Sequence, residues 1–397
     1  MISFQEAYNS VLDTVGSFGE VWVPLAKADG RILAGDITAD RDFPPFDRAT
    51  RDGIAIQLAD SGTPKGFTIV GTAAAGTPQV ELKKDTDCYE IMTGAILPRG
   101  ANAVIMYEHL EIKEGVATIN RPVTIGQNIH FKGSDEPKGS VVLPKGSRIT
   151  AAEIGILASV GKSKILVKKN PKVTLFSTGD ELVPVDTVPE LHQIRQSNSH
   201  TLRAALFDLG ISSEMVHIKD DKASIKDALQ KAMNQSDVLL LSGGVSKGKF
   251  DYLPEVLEEL NVQKKFHRVL QRPGKPFWFG WHKNSGTTIF GFPGNPTSTF
   301  ANFHVYFLAW LNKSLGQSNP EIQVFLDEDF ENTTDLTLFL RASVGIVSGG
   351  LHAKLIDGNG SGDLTSLTHA NGFILIEPHQ KVEMNEKVRF FRSRIIL

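Results

Sequence analysis

Three apolar segments in the second half of the chain each run into a loop of small residues. They are residues 172–182 (KVTLFSTGDEL), 237–251 (DVLLLSGGVSKGKFD) and 287–298 (TTIFGFPGNPTS). Their apolar positions do not alternate with polar ones, which predicts strands buried on both faces. Small residues at the carboxyl end of such a strand leave backbone N–H groups free to approach an anion. The pattern predicts a parallel α/β sheet with a phosphate site along one edge.

Apolar residues at helical spacing predict the helices that accompany this sheet. A capping box of Ser3 and Glu6 opens a further predicted helix at about 4–16. Residues 297–315 are rich in large apolar side chains and predict a helix with Gly316 as its C-cap. The apolar positions of the other helices are Phe4, Ala7, Val11 and Val15; Ile225, Ala228, Leu229, Ala232 and Met233; and Leu253, Val256, Leu257 and Leu260.

The remaining chain has a different texture. From about 43 to 136, short runs of Val, Ile and Thr are broken by Gly, Pro and Asp, which indicates an all-β module. An apolar, mixed stretch follows that includes residues 151–160, and residues 321–397 again predict short strands joined by turns. The chain therefore divides into a β module, an α/β region at about 170–316 and a second β domain.

Length and composition limit the classes of function that this chain can have. At 397 residues the chain is long enough for two to four domains. A formal net charge of −3 without a sustained Lys/Arg run argues against a nucleic-acid partner. We expect no membrane span and no export signal, and hence a cytosolic protein. The single cysteine, Cys88, excludes a disulfide within the chain and a cysteine-rich zinc site, and we expect it to be a small buried residue.

Polar residues in the N-terminal half leave two interpretations open. Asp47, Arg48, Arg51 and Asp52 stand close together ahead of a Gly-Ile-Ala-Ile strand. Such a group is often a surface ion-pair cluster of little energetic value, yet the loop could equally present Asp52 to a ligand. The pairs Thr93–Gly94 and Asp135–Glu136 predict turns.

Acidic residues follow the strands of the α/β region. They are Asp180, Glu181, Asp220, Asp221 and Asp251. At Asp221 and Asp251 an N-cap role would explain the residue by itself. Acids beside a phosphate loop would also supply oxygen ligands to Mg²⁺, which prefers a few carboxylates plus substrate phosphates.

Cations in the same half could neutralise a second anion. Arg268, Arg272 and Lys275 surround a Pro-Gly turn, where arginine offers a planar fork to an oxyanion and lysine a point charge. Arg341 and the glycine-rich loop 358–363 with Ser361 could form a second anion pocket.

Taken together, these segments resemble the molybdopterin molybdenumtransferase family, the molybdenum insertases, which includes the C-terminal domain of gephyrin. The resemblance covers essentially the whole chain. It is carried, in order, by FPPFDRATRDGIA, IMTGAILPRGANAVI, GQNIHFKGSDEPKG, STGDEL, SNS at 197–199, SGGVSKGKFDY, RPGKP and GFPGNPTS. Arg51, His130 and Ser134 depart from the family pattern, which often has Met, Arg and Glu there, and Arg268 and Arg272 stand where lysine is common.

The resemblance implies a multidomain α/β plus β fold and a homodimer. Residues 1–43 and 137–168 would form a discontinuous dimerisation domain, with a β domain inserted at 44–136. An α/β molybdopterin-binding domain would span 169–316, and a C-terminal β-barrel-like domain 317–397. The family's site lies at the subunit interface, so the loops carrying Asp52, Thr93 and Asp135 are expected to face the α/β domain of the other subunit.

The resemblance also implies a reaction. Members of the family take adenylylated molybdopterin and molybdate, cleave the phosphoanhydride with Mg²⁺, and release AMP and molybdenum cofactor. The matching catalytic positions are Asp52, Thr93, Asp135, Glu181, Asp220, Asp251, Arg272 and Lys275, with Glu181, Asp220 and Asp251 as the metal set. The matching substrate-binding positions are Thr178, Gly179, Asp180, Ser242, Gly243, Gly244, Ser246, Pro293, Gly294, Asn295, Pro296, Ser298, Arg341 and Ser361.

Two other functions suit the same fold. One is molybdopterin adenylylation by ATP, for which the α/β domain alone would suffice. The other is a non-catalytic, gephyrin-like scaffold. A molybdopterin adenylyltransferase is also a candidate partner, as the source of the adenylylated substrate.

Overall fold

The computed structural model describes residues 1–59, 66–246 and 251–396. They form two compact units, one of Met1–Val21, Gly30–Ile32 and Lys168–Leu397 and the other of Trp22–Asp29 and Leu33–Val167. We call these the large and the small unit. The α-helices of the described residues are α1 (Phe4–Leu12), α2 (Ala151–Ser159), α3 (Asn198–Asp208), α4 (Lys222–Met233), α5 (Leu253–Glu259), α6 (Pro296–Asn302) and α7 (Leu308–Ser314).

The strands of the described residues fall in both units. In chain order they are β1 (Glu20–Pro24), β2 (Ile37–Thr38), β3 (Arg48–Ala49), β4 (Gly53–Ile56), β5 (Phe67–Ala73), β6 (Asp87–Ile91), β7 (Ala103–Met106), β8 (Leu110–Lys113), β9 (Val116–Ile119), β10 (Ile129–His130), β11 (Val141–Leu143), β12 (Lys164–Lys168), β13 (Val173–Thr178), β14 (Leu182–Val183), β15 (Ile194–Arg195), β16 (Ser213–Ile218), β17 (Val238–Ser242), β18 (Gln263–His267), β19 (Gln271–Arg272), β20 (Trp278–His282), β21 (Thr287–Phe292), β22 (Ile322–Leu326), β23 (Phe330–Glu331), β24 (Thr337–Val347), β25 (Gly350–Leu355), β26 (Gly372–Ile376), β27 (Lys381–Val382) and β28 (Lys387–Arg392).

The central sheet of the large unit has the order β16-β13-β17-β21-β20-β18. Its first four strands are parallel, and every residue of β13, β17 and β21 is buried. The three apolar segments of the sequence thus form adjacent parallel strands, as predicted. The last two strands, β20 and β18, run antiparallel, so the sheet is mixed at one edge.

An aromatic layer fills one face of this sheet. Phe290 of β21 packs against Phe307 and Trp310 with ring centroids 5.5 and 5.4 Å apart, and against Phe279 of β20 at 4.9 Å. Phe307 belongs to a single π-helical stretch, Phe303–Phe307, that joins α6 to α7. On the other face, α4 and α5 bury the apolar positions that the sequence assigned to them.

The C-terminal strands form a closed barrel in the order β24-β25-β22-β28-β26, with β26 pairing back to β24. The short strand β19, from the turn after β18, adds to β24 in parallel. The sequence predicted short strands and turns here, and the family resemblance a barrel-like domain. The barrel confirms both, and it brings residues 338–361 next to the turn of β19.

One predicted helix end is wrong, and a second differs by one residue. The capping box of Ser3 and Glu6 opens α1 as predicted, but the helix stops at Leu12 instead of residue 16. Thr14 turns its hydroxyl to the Ser10 carbonyl at 2.9 Å, and Val15 lies outside the helix and is exposed. The cap of α7 is Leu315, and Gly316 is the next residue, with a left-handed φ of +76° that ends the helix.

The small unit contains the all-β module that the sequence predicted. Its main sheet has the order β7-β4-β6-β5-β9-β8, and Cys88 on β6 is fully buried, as expected. Burial raises the pKa of the Cys88 thiol to about 12. None of the described helices has the length and apolar character needed to cross a bilayer. The division into four domains stays a prediction.

Replacing Phe290 by alanine should destabilise the large unit by about 3–5 kcal/mol, because a fully buried ring leaves a cavity. Urea unfolding followed by the fluorescence of the buried Trp278 and Trp310 measures this. Phe207→Ala is the matched control, since that ring is 78% exposed, and should change the free energy of unfolding by less than about 0.5 kcal/mol. Equal losses in both variants would contradict the aromatic core.

Candidate functional site

A cavity of about 710 Å³ lies at the carboxyl ends of β13, β17 and β21. We call it the sheet-edge cavity. Parallel strands deliver their loops to one edge of a sheet, which is where ligands bind in this architecture. The predicted site residues that line it are Thr178, Gly179, Glu181, Asp220, Ser242, Gly243, Gly244, Ser246, Asp251, Pro293, Gly294, Asn295 and Pro296.

The glycine loop after β17 leaves no room for side chains. Gly243 and Gly244 have left-handed φ values of +95° and +66°. A Cβ on Gly243 would lie 2.8 Å from the Thr178 carbonyl oxygen, and one on Gly244 2.8 Å from Thr178 Oγ1. Thr178 Oγ1 is buried and has no hydrogen-bond partner among the described residues. The loop thus exposes backbone to the cavity, as an anion cradle requires. Residues 247–250 of the predicted loop lie outside the described residues.

Asn198 holds two of the loops together. Its Nδ2 donates to Ser242 Oγ at 2.8 Å and to the Gly294 carbonyl at 2.7 Å. The residue is the first of α3 and lines the cavity. The sequence contained it in the SNS motif at 197–199, but motif spacing gave it no role. One amide therefore fixes the distance between the β17 loop and the β21 loop.

Four acids surround one side of the cavity. Burial raises the pKa of Asp220, and the negative charges of Asp180, Glu181 and Asp251 raise it further. Glu181, Asp220 and Asp251 line the cavity, whereas Asp180 turns away and accepts a hydrogen bond from the Asp220 backbone N–H at 3.2 Å. Mutual repulsion of this kind is relieved by a cation.

The predicted metal set is only partly assembled. Within residues 1–59, 66–246 and 251–396, no three His, Cys, Asp or Glu side chains converge closely enough to hold a metal ion. Mg²⁺ is commonly held by one or two carboxylates together with water and substrate phosphates. One or two of the acids Glu181, Asp220 and Asp251, which line the sheet-edge cavity, suit such a site, but the three do not form a complete site by themselves.

The capping alternative holds for one acid and fails for another. Asp221 is the N-cap of α4, and its carboxylate accepts from the Ser224 N–H at 2.8 Å. That contact lowers the pKa of Asp221. Asp251 is not a cap, since Tyr252 occupies that position in α5. Asp251 lies in the wall of the sheet-edge cavity.

A second cavity of about 760 Å³ lies between the α/β sheet and the barrel of the large unit. We call it the barrel cavity. Its lining includes five predicted residues, namely Arg272, Lys275, Ser298, Arg341 and Ser361. No carboxylate of the described chain forms an ion pair with any of the three cations. Arg268 lines neither cavity.

Buried amides support the turn that carries two of these cations. Gln271 is fully buried and donates to Asn302 Oδ1 at 2.8 Å and to the Pro273 carbonyl at 3.0 Å. Gly274 has a φ of +89°, and a Cβ there would lie 2.5 Å from Asn302 Oδ1. Gln271 and Asn302 therefore stabilise the turn, although the sequence motifs did not single out either residue. The available signal was Asn302, a polar residue within the largely apolar stretch 300–311.

The two cavities adjoin along the Pro293–Asn295 loop. Pro276, Pro293 and Asn295 line both of them. Asn295 Nδ2 donates to Ser361 Oγ at 2.8 Å, and Thr297 N–H donates to the Ser361 carbonyl at 3.1 Å. The sheet-edge cavity, lined by three acids and Arg195, thus adjoins the barrel cavity, which is lined by three cations and Asp357.

The small unit brings two predicted residues into contact. Asp52 Oδ1 accepts from Thr93 N–H at 2.6 Å and from Thr93 Oγ1 at 2.7 Å, and these bonds lower the pKa of Asp52. Asp135 is exposed and lies 2.7 Å from His130 Nε2. In the described residues, no ion pair links Asp47 or Asp52 to a neighbouring arginine. The surface ion-pair interpretation of this segment is therefore wrong.

Comparison with known proteins assigns the chain to a family. Three family models match in sequence order. They are the MoeA N-terminal region (domain I and II) at residues 2–161, a probable molybdopterin binding domain at 174–313, and the MoeA C-terminal region (domain IV) at 323–391. A molybdopterin molybdenumtransferase of Synechocystis sp. is 38% identical over 96% of both chains. The chain belongs to the molybdopterin molybdenumtransferase family.

Other members of the family agree in length and fold. A molybdopterin molybdenumtransferase of Staphylococcus aureus strain Mu50 is 34% identical over 94% of this chain and 91% of its own. The crystal structure of a molybdopterin biosynthesis moeA protein from Pyrococcus horikoshii superposes with a TM-score of 0.83. It is 30% identical and covers 98% of this chain and 99% of its own. The resemblance inferred from the motifs and the predicted fold class are both confirmed.

Membership in the molybdopterin molybdenumtransferase family does not assign roles to single residues. The model for the molybdopterin binding domain covers all three loops of the sheet-edge cavity. The barrel cavity combines that region with residues of the MoeA C-terminal region, including Arg341 and Ser361. The individual catalytic, metal and substrate-binding assignments stay predictions.

Neutralising Asp220 and its neighbour Asp221 should have opposite effects on stability at pH 7. The folded state raises the pKa of Asp220, so the ionised form destabilises the fold, and Asp220→Asn should increase the free energy of unfolding. That gain should vanish near pH 3, where Asp220 is protonated in both states. Asp221→Asn should slightly decrease stability, because it removes a charge whose pKa the fold lowers.

Urea unfolding at pH 7 and at pH 3 measures both variants. The paired design keeps the chemical change constant at adjacent positions. A loss of stability at pH 7 in Asp220→Asn would contradict the crowding of negative charge in the sheet-edge cavity.

Proposed function

We propose that this protein is a molybdopterin molybdenumtransferase that inserts molybdenum from molybdate into adenylylated molybdopterin. AMP leaves as the phosphoanhydride is cleaved, and molybdenum cofactor is formed. The observation that carries the proposal is the pair of adjoining cavities of opposite net charge, which share Pro276, Pro293 and Asn295. A reaction between two anionic substrates needs two anion sites that open onto each other.

The sheet-edge cavity is assigned to the adenylylated pterin. Its volume of about 710 Å³ suits a ligand of nucleotide-conjugate size. The backbone N–H groups around Gly243 and Gly244 would receive phosphate oxygens, and the buried Thr178 hydroxyl, whose donor is unused among the described residues, would donate to the same ligand. Asn198 keeps the facing loops at the spacing that the ligand needs.

One or two of the carboxylates Glu181, Asp220 and Asp251 would hold Mg²⁺, with water and substrate phosphates as its other ligands. When bound, the ion would neutralise phosphate charge and polarise the phosphoanhydride. Burial and the negative charge of the neighbouring carboxylates raise the pKa of Asp220, so this wall disfavours an anion whose charge no cation compensates. The carboxylates would therefore favour an orientation of the phosphoanhydride in which its negative charge points away from any carboxylate that does not bind the metal ion.

The barrel cavity is assigned to molybdate. Arg272 and Lys275 extend from a turn fixed by Gln271, and Arg341 is oriented by its Nη1 donating to Ser366 Oγ at 2.6 Å. Cations without carboxylate partners retain their full charge for a ligand. Molybdate held there would lie on the far side of the Asn295–Ser361 contact from the pterin, and it would reach the pterin along that shared wall.

The same proposal includes a homodimer, a cytoplasmic location and supply of substrate by a molybdopterin adenylyltransferase. Asp52, Thr93 and Asp135 would then complete the site of the neighbouring subunit. Their exposure suits that role, since an exposed carboxylate with its pKa lowered by hydrogen bonds, as at Asp52, stays charged for an incoming ligand.

Release of AMP from adenylylated molybdopterin should require both Mg²⁺ and molybdate, and Asp251→Asn should reduce the rate by at least about 100-fold. The loss follows because one negative charge of the proposed metal site is removed. Asp208→Asn, at an exposed residue of α3, is the matched control and should retain full activity. Quantifying AMP and active cofactor together measures the reaction.

Molybdate-independent AMP release would contradict the insertase proposal. Absence of release from a folded dimer would favour the scaffold alternative instead.

Removing the barrel-cavity cations should weaken molybdate use without affecting the pterin. Arg272→Met and Lys275→Met should each raise the KM for molybdate by about tenfold, as expected for loss of one charge-assisted contact. The KM for adenylylated molybdopterin should stay within about twofold. Lys283→Met, at an exposed turn, removes the same charge elsewhere and should change neither constant. Equal effects on both substrates would contradict the assignment of separate cavities.

A further inference from the structure

Strand register in the small unit places a histidine opposite an arginine. The two-residue strands β3 and β10 pair antiparallel, with His130 directly across from Arg48. The turn after β10 is pinned by Lys132 N–H donating to Asp47 Oδ1 at 2.7 Å. Gly133, with a φ of +72°, donates its N–H to the Pro44 carbonyl at 3.0 Å and reverses the chain. The turn returns Asp135 to the imidazole of His130.

Both ring nitrogens of His130 are engaged. Arg48 Nη2 lies 3.2 Å from Nδ1, and Asp135 Oδ1 lies 2.7 Å from Nε2. A guanidinium can only donate, so Nδ1 must accept. The neutral ring then carries its proton on Nε2 and donates it to the Asp135 carboxylate. A proton on Nδ1 would point at the guanidinium and break this contact, so the geometry specifies one tautomer.

We propose that Arg48 and His130 are positioning residues that fix the orientation of the Asp135 carboxylate. We call the three residues the histidine bridge. The part of this inference that concerns catalysis rests on the proposed function, because it takes Asp135 as a site residue. Asp135 is 55% exposed, and an exposed carboxylate rotates freely unless something holds it. The charged guanidinium at one end polarises the ring and strengthens the bond at the other.

The bridge also sets Asp135 relative to the second acid of the unit. Ala49, the other residue of β3, accepts a hydrogen bond from Gly94 N–H at 2.8 Å through its carbonyl. Thr93, which precedes Gly94, binds Asp52. One short strand thus connects the Asp52–Thr93 pair to Asp135. Loss of the bridge should therefore disturb the geometry between two acids without unfolding the sheet.

Nitrogen NMR of the full-length chain, labelled with ¹⁵N-histidine, tests the bridge without any catalytic assay. The His130 signals are those missing from His130→Gln. At neutral pH we expect an unprotonated Nδ1 and a protonated Nε2 in the unsubstituted protein, and averaged shifts in Arg48→Met. A protonated Nδ1, or averaged shifts already in the unsubstituted protein, would overturn the proposal.

Activity then tests positioning. Glutamine can accept from Arg48 through its carbonyl and donate to Asp135 through its amide, so His130→Gln should keep kcat within about threefold. His130→Leu should lower kcat by about tenfold or more, with KM little changed. Arg48→Met should lower kcat in the same way, but it should cause no further loss in an Asp135→Asn background. Arg51→Met is the matched control and should be unaffected.

Equal activity of His130→Gln and His130→Leu would overturn the positioning role. If the unsubstituted protein transfers no molybdenum, the proposed function fails, and the nitrogen shifts alone decide the bridge.

Discussion

Parallel pairing of β17 with β13 on one side and β21 on the other is the constraint on which the candidate site depends. The three strands are buried on both faces, and their registers run in step from Val173, Val238 and Thr288 toward the loops. Strands that pair in this way must release their loops at the same edge of the sheet. The glycine loop, the acidic loop after β13 and the Pro293–Asn295 loop therefore meet, and Asn198 fixes the spacing between two of them.

Separation of charge is the second organising feature. Acids gather at the sheet-edge cavity, where burial and mutual repulsion raise the pKa of Asp220. Cations outnumber acids in the barrel cavity, where Asp357 also lines the wall but no carboxylate of the described chain forms an ion pair with Arg272, Lys275 or Arg341. If the acids and the cations lined a single cavity, they would form ion pairs with each other and bind ligands only weakly. Kept apart by the Asn295–Ser361 contact, each set can act on its own anion.

The strands and helices of the α/β region were predictable because their apolar patterns are long and uniform. The antiparallel edge of the sheet was not predictable, because the apolar pattern of β18 and β20 does not indicate strand direction. The end of α1 was predicted too late, since Val15 fits the apolar period although Thr14 and Gly16 already break the helix.

The site was predictable in part. The motifs supplied the loop residues and cations that the structure places in two cavities, but they did not show that two cavities exist. That division depends on how the barrel packs beside the turn of β19, which is a contact between distant parts of the sequence. Asn198, Gln271 and Asn302 were missed for the same reason. Each acts through hydrogen bonds to residues far away in the chain.

Crystallography of the protein soaked with molybdate and AMP, with anomalous scattering recorded at the molybdenum absorption edge, tests most directly whether the two cavities bind different anions. We expect a molybdenum peak in the barrel cavity beside Arg272, Lys275 and Arg341, with AMP in the sheet-edge cavity of the same subunit. A molybdenum peak in the sheet-edge cavity, or molybdate and AMP displacing each other from one cavity, would contradict separate anion sites.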